Sequence, residues 1–397
     1  MKKILFIHDH YFKYRNGIYY SGGGLPDSIW KRYLAVFPHL VVVGRDGGKL
    51  SDDDVRYTVS STPGVEFILL PNVSNIKSFI FGNPEVQGVC RKLVAESDGL
   101  IARMPSRLAQ LFVSEAIRQK KPYAVEVVGC AWGGLWDYGT WKAKLYAPIS
   151  AFNARRVIKS ADFALYVTEN YLQQRYPSNG VVTFCSNVDI AAVSEKVLES
   201  RLDRSGVTEK LTFGLIGNYS SKYKGIDIAI RALADFNKHG IDWQLEVVGG
   251  GNASVYQDLA QELGIWEKVR FLGTKPAGSP IYEWLDGVDI YLQPSYQEGL
   301  PRALIEAMSR GCPSIGTSIA GIPELLSESE MIAPGDWQAL SEKIFKFATD
   351  PHLMSDLACR NFNVAKKYYR HVLDDRRTKF WAAFASLLDG KAKVDLK

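Results

Sequence analysis

The chain has 397 residues, 46% of them hydrophobic, with 48 basic and 43 acidic side chains and a formal net charge of +5. That length and apolar content suit two ordinary domains with packed cores and exclude a disordered chain. The mild positive balance fits an anionic substrate or an acidic membrane surface, and gives only weak support for nucleic acid.

Cysteines 90, 130, 185, 312 and 359 show no C-x-x-C spacing. This points to a reducing compartment and away from a zinc site. The apolar run at 4–7, behind Met1-Lys2-Lys3, stops at His8-Asp9-His10. It is too short for a signal peptide and reads as a first β-strand. No apolar run approaches the roughly 18 residues of a membrane span. A cytoplasmic protein is expected.

Strand-like runs at 4–7, 40–43, 67–70, 100–102, 124–128 and 163–167 alternate with amphipathic helical runs, and resume at 211–216, 245–248, 269–272, 289–292 and 313–315. Such alternation predicts α/β architecture with parallel, doubly wound sheets. Ligands of these sheets sit beyond the carboxyl ends of the strands. The polar segment 190–210 lacks strand character. The expected division is a Rossmann-like domain over 1–195, a second over 205–370, and a C-terminal helix over 371–397 whose Phe380, Trp381, Phe384 and Leu387 pack back on the first domain.

In the first half, Ser21-Gly22-Gly23-Gly24 precedes an amphipathic helix, a backbone-only anion cradle. It is not G-x-G-x-x-G, so dinucleotide binding is not favoured. His8 and His10 follow a strand and are candidates for a base or hydroxyl donor. Asp52-Asp53-Asp54 contains a D-x-D without a strand before it, and reads as solvated surface. Arg103-Met104-Pro105-Ser106 ends a strand and opens a helix, with Ser106 at the cap. Glu126 lies in the next strand, as a catalytic or a structural carboxylate. Trp132, Trp136, Tyr138, Trp141 and Tyr146 follow, interleaved with glycines and flanked by Lys142 and Lys144. Aromatics stack on sugars and also suit a membrane interface. Basic pairs at Lys31-Arg32, Lys120-Lys121 and Arg155-Arg156 add to that second reading. Thr168 is the expected N-cap of a further helix.

In the second half, Gly217-Asn218-Tyr219-Ser220-Ser221-Lys222-Tyr223-Lys224-Gly225 joins a strand to a helix through a glycine turn and lysines, an arrangement suited to phosphate. Gly249-Gly250-Gly251 follows another strand, where glycine permits close ligand approach. The densest signal is Ser295-Tyr296-Gln297-Glu298-Gly299-Leu300-Pro301-Arg302, running into a helix that carries Glu306. Pro301 suits the first helical turn, and the N–H groups of about residues 299–302 are expected to point outward as an anion site.

Glu298 and Glu306 resemble the E-x7-E motif of GT4 glycosyltransferases, and the segments above occur in that family's order. The resemblance implies the GT-B fold, two doubly wound Rossmann-like domains facing across a cleft. It implies a retaining transferase moving sugar from a nucleotide-diphosphate sugar to a saccharide or lipid-linked acceptor in surface-polysaccharide synthesis. By this resemblance Glu298 meets the donor sugar and Glu306 the ribose. Lys224 and the helix-opening segment Gly299, Leu300 and Pro301, through its available backbone N–H groups, hold the diphosphate, Gly22, Gly23 and Gly24 approach it from the first domain, and Thr274 ends the turn that meets the base. Asn218 stands where the family has Arg, with Lys222 as a substitute charge, and Gly249 and Gly250 line the donor. Glu298, Lys224, Glu126 and His10 are the expected catalytic set. Many members carry a His where this chain has Val128-Gly129-Cys130, which turns attention to Glu126. No metal or cofactor is expected beyond the nucleotide-sugar co-substrate, nor any nucleic-acid partner, and peripheral association with the inner membrane surface is expected. A sugar-nucleotide epimerase or hydrolase, or a non-catalytic sensor, are the competing readings; the absent Arg and His favour the sensor, and the two intact glutamates oppose it.

Overall fold

The computed structural model describes residues 2–52, 54, 57–71, 83–136, 141–204 and 210–390. The chain divides into two compact units, Met1–Cys185 with Asp374–Lys397, and Ser186–Leu373.

The first unit is built on a nine-stranded sheet. Its parallel core is β5 (Val65–Leu70), β3 (Leu40–Lys49), β1 (Ile4–Arg15), β6 (Gly99–Met104), β7 (Tyr123–Val127), β8 (Phe163–Tyr166) and β9 (Val181–Phe184). Ile4, Leu5, Phe6 and Ile7 are all fully buried, as expected of a parallel strand covered on both faces. The strand continues past residue 7, however. It runs to Arg15 and turns at Asn16-Gly17 (φ 52° and 76°) into β2 (Ile18–Ser21), which pairs antiparallel with it and carries β4 (Thr58–Val59). Asn-Gly is the dipeptide that a two-residue hairpin turn requires, because both positions need positive φ. The residues past the expected strand at 4–7 therefore form a hairpin.

The second unit has six parallel strands in the order β12 (Val269–Phe271), β11 (Trp243–Val248), β10 (Leu211–Ile216), β13 (Ile290–Gln293), β14 (Ser314–Thr317) and β15 (Met331–Ile332). This is the doubly wound order, with its reversal between β10 and β13. Phe213, Leu215, Leu245, Val247, Ile290 and Leu292 fill the core with the helix Ile226–Phe236.

The units part at Cys185/Ser186, ahead of the expected linker. The polar segment includes a helix, Glu195–Arg204, whose Arg201 is only 6% exposed. Its guanidinium donates to the carbonyls of Leu285 (2.8 Å) and Val288. These carbonyls end the helix Ser279–Gly287, and a buried cation satisfies them. Residues 205–209 of the expected linker lie outside the described residues. At the other end, Trp381 packs on Tyr33 and Phe37, and Phe384 on Phe163. The last helix thus belongs to the first unit from Asp374 onward.

Candidate active site

The reversal between β10 and β13 leaves a crevice edge at their carboxyl ends, and the loops following these strands carry the second unit's functional side chains. After β10 the chain turns through Lys222–Lys224 and Gly225. Gly225 has φ +67°, and a Cβ there would lie 1.9 Å from the Pro294 carbonyl oxygen. Only glycine lets the lysine turn sit against the end of β13. Tyr296 N–H donates to Tyr223 O at 2.7 Å, which fastens the two loops together.

Three donors converge on a single oxygen, Glu298 Oε1: Lys224 Nζ at 2.7 Å, Gln293 Nε2 at 2.8 Å and Ser295 Oγ at 2.8 Å. Gln293 also donates to Ser295 Oγ, and its Oε1 accepts from the Tyr291 hydroxyl. The Glu298 side chain is 8% exposed. Its orientation is thereby fixed through Oε1, with Oε2 outside this network. Buried polar networks of this kind hold one geometry when every member is satisfied.

The helix Arg302–Ser309 begins immediately beyond. Pro301 is its N-cap residue, and no side chain caps the first turn. The outward amides of the helix's first turn are those of Arg302, Ala303 and Leu304, which overlap the expected 299–302 at Arg302. Pro301 has no N–H, and Leu300 is 8% exposed. An uncapped helix N-terminus two residues after a carboxylate–lysine pair suits an anion with hydroxyl groups beside it. Glu306 lies on the same helix. Burial pushes its carboxyl up to about 6, opposed by Arg302 and reinforced by Asp189. The phenol of Tyr291 is raised by burial and by the charges of Glu306 and Glu298.

The glycine loops line the neighbouring strand ends. A Cβ on Gly249 would meet the Gly217 carbonyl at 1.8 Å, and one on Gly250 would lie 3.1 Å from Thr274. Tyr219 laces this rim, donating from its hydroxyl to Val247 O and accepting from Gly273 N–H. Asn218 and Lys222 are exposed. The Asn218 Oδ1 is committed to Ser220 N–H at 2.8 Å, so that side chain stabilises its own turn rather than standing in simply for the family's Arg.

In the first unit the matching reversal lies between β1 and β6; His8, Asp9 and His10 lie within β1 just past its last pairing with β6, Ile7 with Ala102, and Arg103 follows Ala102 on β6. His10 Nε2 is 2.8 Å from Ser21 Oγ, which ties it to the glycine loop, where Gly23 and Gly24 have φ 121° and 86°. Burial and the Arg103 charge lower the His10 pKa to about 4 and that of His8 to about 3. Both rings are neutral near pH 7. Asp9 receives the Arg107 and Leu108 amides and pairs with Arg45 (2.7 Å), so it is a structural carboxylate. Glu126 is 1% exposed and accepts from Tyr33 OH at 2.6 Å. Burial would raise its pKa, but Arg103, Tyr33, Arg32 and Arg377 outweigh this and hold it low. A carboxylate so enclosed anchors the sheet, and the catalytic role considered for it is not met by this placement. Arg32 turns inward to the same group and is not part of a basic surface. Thr168 accepts from Leu172 N–H, but the helix it serves starts at Tyr171 behind Asn170. Asp53, Tyr138 and Gly139 lie outside the described residues.

Gln293 and Tyr291 are not singled out by the sequence, and Ser295 appears there only as part of the motif, with no role of its own. A polar residue ending an apolar strand run, two positions before the motif, was the available signal. His8 and Arg103 each keep one buried nitrogen, Nδ1 and Nη1, without a partner among the described residues.

These features define a GT-B glycosyltransferase. The solved structures of sucrose-phosphate synthase from Thermosynechococcus elongatus (TM-score 0.69, 15% identity, 98% of this chain and 100% of that one) and of Anabaena HepE in complex with UDP (0.65, 16%, 98% and 100%) share the fold. The model of the family Glycosyl transferases group 1 matches residues 203–363. The chain is 30% identical to protein CapJ of Staphylococcus aureus over 345 residues, 86% of this chain and 85% of that one. It is also 34% identical to the amylovoran biosynthesis glycosyltransferase AmsK of Erwinia amylovora, over 32% of this chain and 33% of that one. The chain belongs to the group 1 glycosyl transferases.

Proposed function

We propose that this glycosyltransferase moves a sugar, with retention, from a nucleotide-diphosphate sugar to a saccharide or lipid-linked saccharide in bacterial surface-polysaccharide synthesis. The observation that carries the donor assignment is the convergence of Lys224, Glu298 and the uncapped helix N-terminus at the reversal between β10 and β13. Amide dipoles and one ammonium group supply positive potential where the diphosphate leaving group gains charge, without a metal ion. Glu298, held through Oε1, accepts from donor-sugar hydroxyls through Oε2. Glu306 accepts from the ribose, and the rim of Gly249, Gly250 and Thr274 takes the nucleoside. Gly22, Gly23 and Gly24 form a backbone cradle for an anion within the first unit. His10, neutral and tied to Ser21, can accept a proton from an acceptor hydroxyl. Names such as amylovoran biosynthesis glycosyltransferase AmsK and lipopolysaccharide glucosyltransferase WaaG among its relatives support the surface-polysaccharide setting. A reaction at the inner membrane face is part of the same proposal.

The test separates the two glutamates. The sugar contact strengthens during transfer, whereas the ribose contact is equal in ground and transition states. Glu298→Gln is expected to cut kcat with little change in nucleoside-diphosphate affinity. Glu306→Gln is expected to weaken binding of the bare nucleoside diphosphate by about 1.5–3 kcal/mol in calorimetry. The reverse pattern would place the donor backwards, and no effect from either would remove this site from the reaction.

A further inference from the structure

The helix Trp141–Lys159 has two apolar faces. One is made of small or branched residues, Ala147, Ser150, Ala154, Val157 and Ile158, all buried against the first unit. The other is made of large ones: Trp141, Leu145, Ile149 and Phe152 are 68%, 67%, 52% and 69% exposed. Spacings of four, four and three residues put these four on one stripe of the helix. The helix's charged residues are Lys142, Lys144, Arg155, Arg156 and Lys159, with no Asp or Glu. Among the described residues, Arg155 and Arg156 have no ion-pair partner. At the foot of the stripe is a depression of about 600 Å³ lined by Trp132, Phe152, Arg155, Tyr171 and Arg175.

We propose that this helix is a docking element that lies in the plane of an anionic phospholipid bilayer, with Trp141, Leu145, Ile149 and Phe152 inserted at the headgroup boundary and Arg155 and Arg175 at the lipid phosphates. A protein partner would need complementary acidic residues and a matching apolar groove. An anionic bilayer offers negative charge and apolar depth everywhere on its surface, which suits an apolar stripe on a helix whose own charges are all positive. Large exposed apolar side chains in a row are otherwise an aggregation liability. The buried face carries the small and branched residues and packs on the helix Arg107–Arg118, which leaves the bulky residues on the opposite side. The inference deepens the membrane-surface setting proposed above, and rests on it only for the choice of anionic lipid.

The experiment is co-sedimentation of the full chain with vesicles of phosphatidylglycerol and phosphatidylcholine, against phosphatidylcholine alone. The wild type is expected to sediment with the anionic vesicles and to be released as salt rises from about 0.05 M to about 0.5 M, since the Debye length shortens. L145E/F152E is expected to partition at least about tenfold less, the scale for losing one large apolar insertion. Both positions are more than half exposed, so an unchanged melting temperature and an unchanged affinity for a nucleoside diphosphate verify the fold. R155Q/R156Q is expected to lose the preference for anionic vesicles while keeping its fold. A wild type that stays in the supernatant overturns the proposal, as does L145E/F152E sedimenting like wild type. A wild-type dimer that L145E/F152E converts to monomer, without vesicle binding, overturns it in favour of self-association. In each of these cases donor binding and transfer to a water-soluble acceptor are unaffected, so the failure is distinct from a failure of the proposed reaction.

Discussion

Lys224 Nζ lies 2.7 Å from Glu298 Oε1, so the cation proposed for the donor diphosphate and the carboxylate proposed for the donor sugar hold each other before any ligand arrives. The pair is mostly enclosed, with side chains 18% and 8% exposed. Removing one member leaves the other charge short of a partner, which costs more than the pair's net contribution. Lys224→Ala is expected to lower folding stability by about 1–3 kcal/mol and to weaken nucleoside-diphosphate binding by about 1.5–3 kcal/mol. In a cycle with Glu298→Gln, urea denaturation is expected to show coupling of at least about 1 kcal/mol. Additive effects would make the contact incidental.

Glu306 gives a pH signature in the free enzyme. Its carboxyl is raised by burial from 4.5 to about 6. The folded state therefore binds its proton more tightly than the unfolded state does. The stability this provides is complete below about pH 4.5 and lost as pH rises through about 6, a difference of about 2 kcal/mol. Glu306→Gln is expected to be more stable than wild type at pH 8 by up to that amount, and equal to it near pH 4. Ribose hydroxyls donate to the ionised form, so nucleotide affinity is expected to fall as pH drops through 6 in wild type only. Calorimetry at pH 5 and pH 8 checks this.

The two half-buried histidines act in the opposite direction. Their folded pKa values, about 3 for His8 and about 4 for His10, lie below the unfolded 6.5. The unfolded chain binds more protons, so this stability is present above 6.5 and is lost as pH falls toward 4. The His10 share is on the order of 3 kcal/mol. Acid unfolding followed by circular dichroism is expected to start below pH 6.5, and His10→Gln is expected to unfold at lower pH than wild type.

Diphosphate binding through helix amides and Lys224 predicts that turnover survives EDTA. Steady-state rates with and without chelator test this directly. Loss of activity with EDTA, restored by Mn²⁺, would contradict the metal-free charge stabilisation proposed here.

Local signals in the sequence carried the fold class and pointed to much of the proposed donor site. Alternating apolar runs specify parallel strands because both faces of each strand are covered, and Gly225 marks the Lys224 turn because no other residue fits its backbone there. Glu298 and Glu306 were legible through their spacing along one loop and helix. What the tertiary structure alone decided were partnerships between residues far apart in sequence. Lys224 and Glu298 are 74 positions apart, and only the crossover between β10 and β13 makes them neighbours. Tyr33 and Glu126, 93 apart, meet the same way, and that meeting turns a candidate catalytic carboxylate into a buried anchor. Arg201 looked like linker because polarity was its only local property; its burial comes from carbonyls at Leu285 and Val288 that the fold brings to it. Composition and period report which face of an element is apolar. Which charged group meets which depends on strand order, and that is set by the packing of the whole unit.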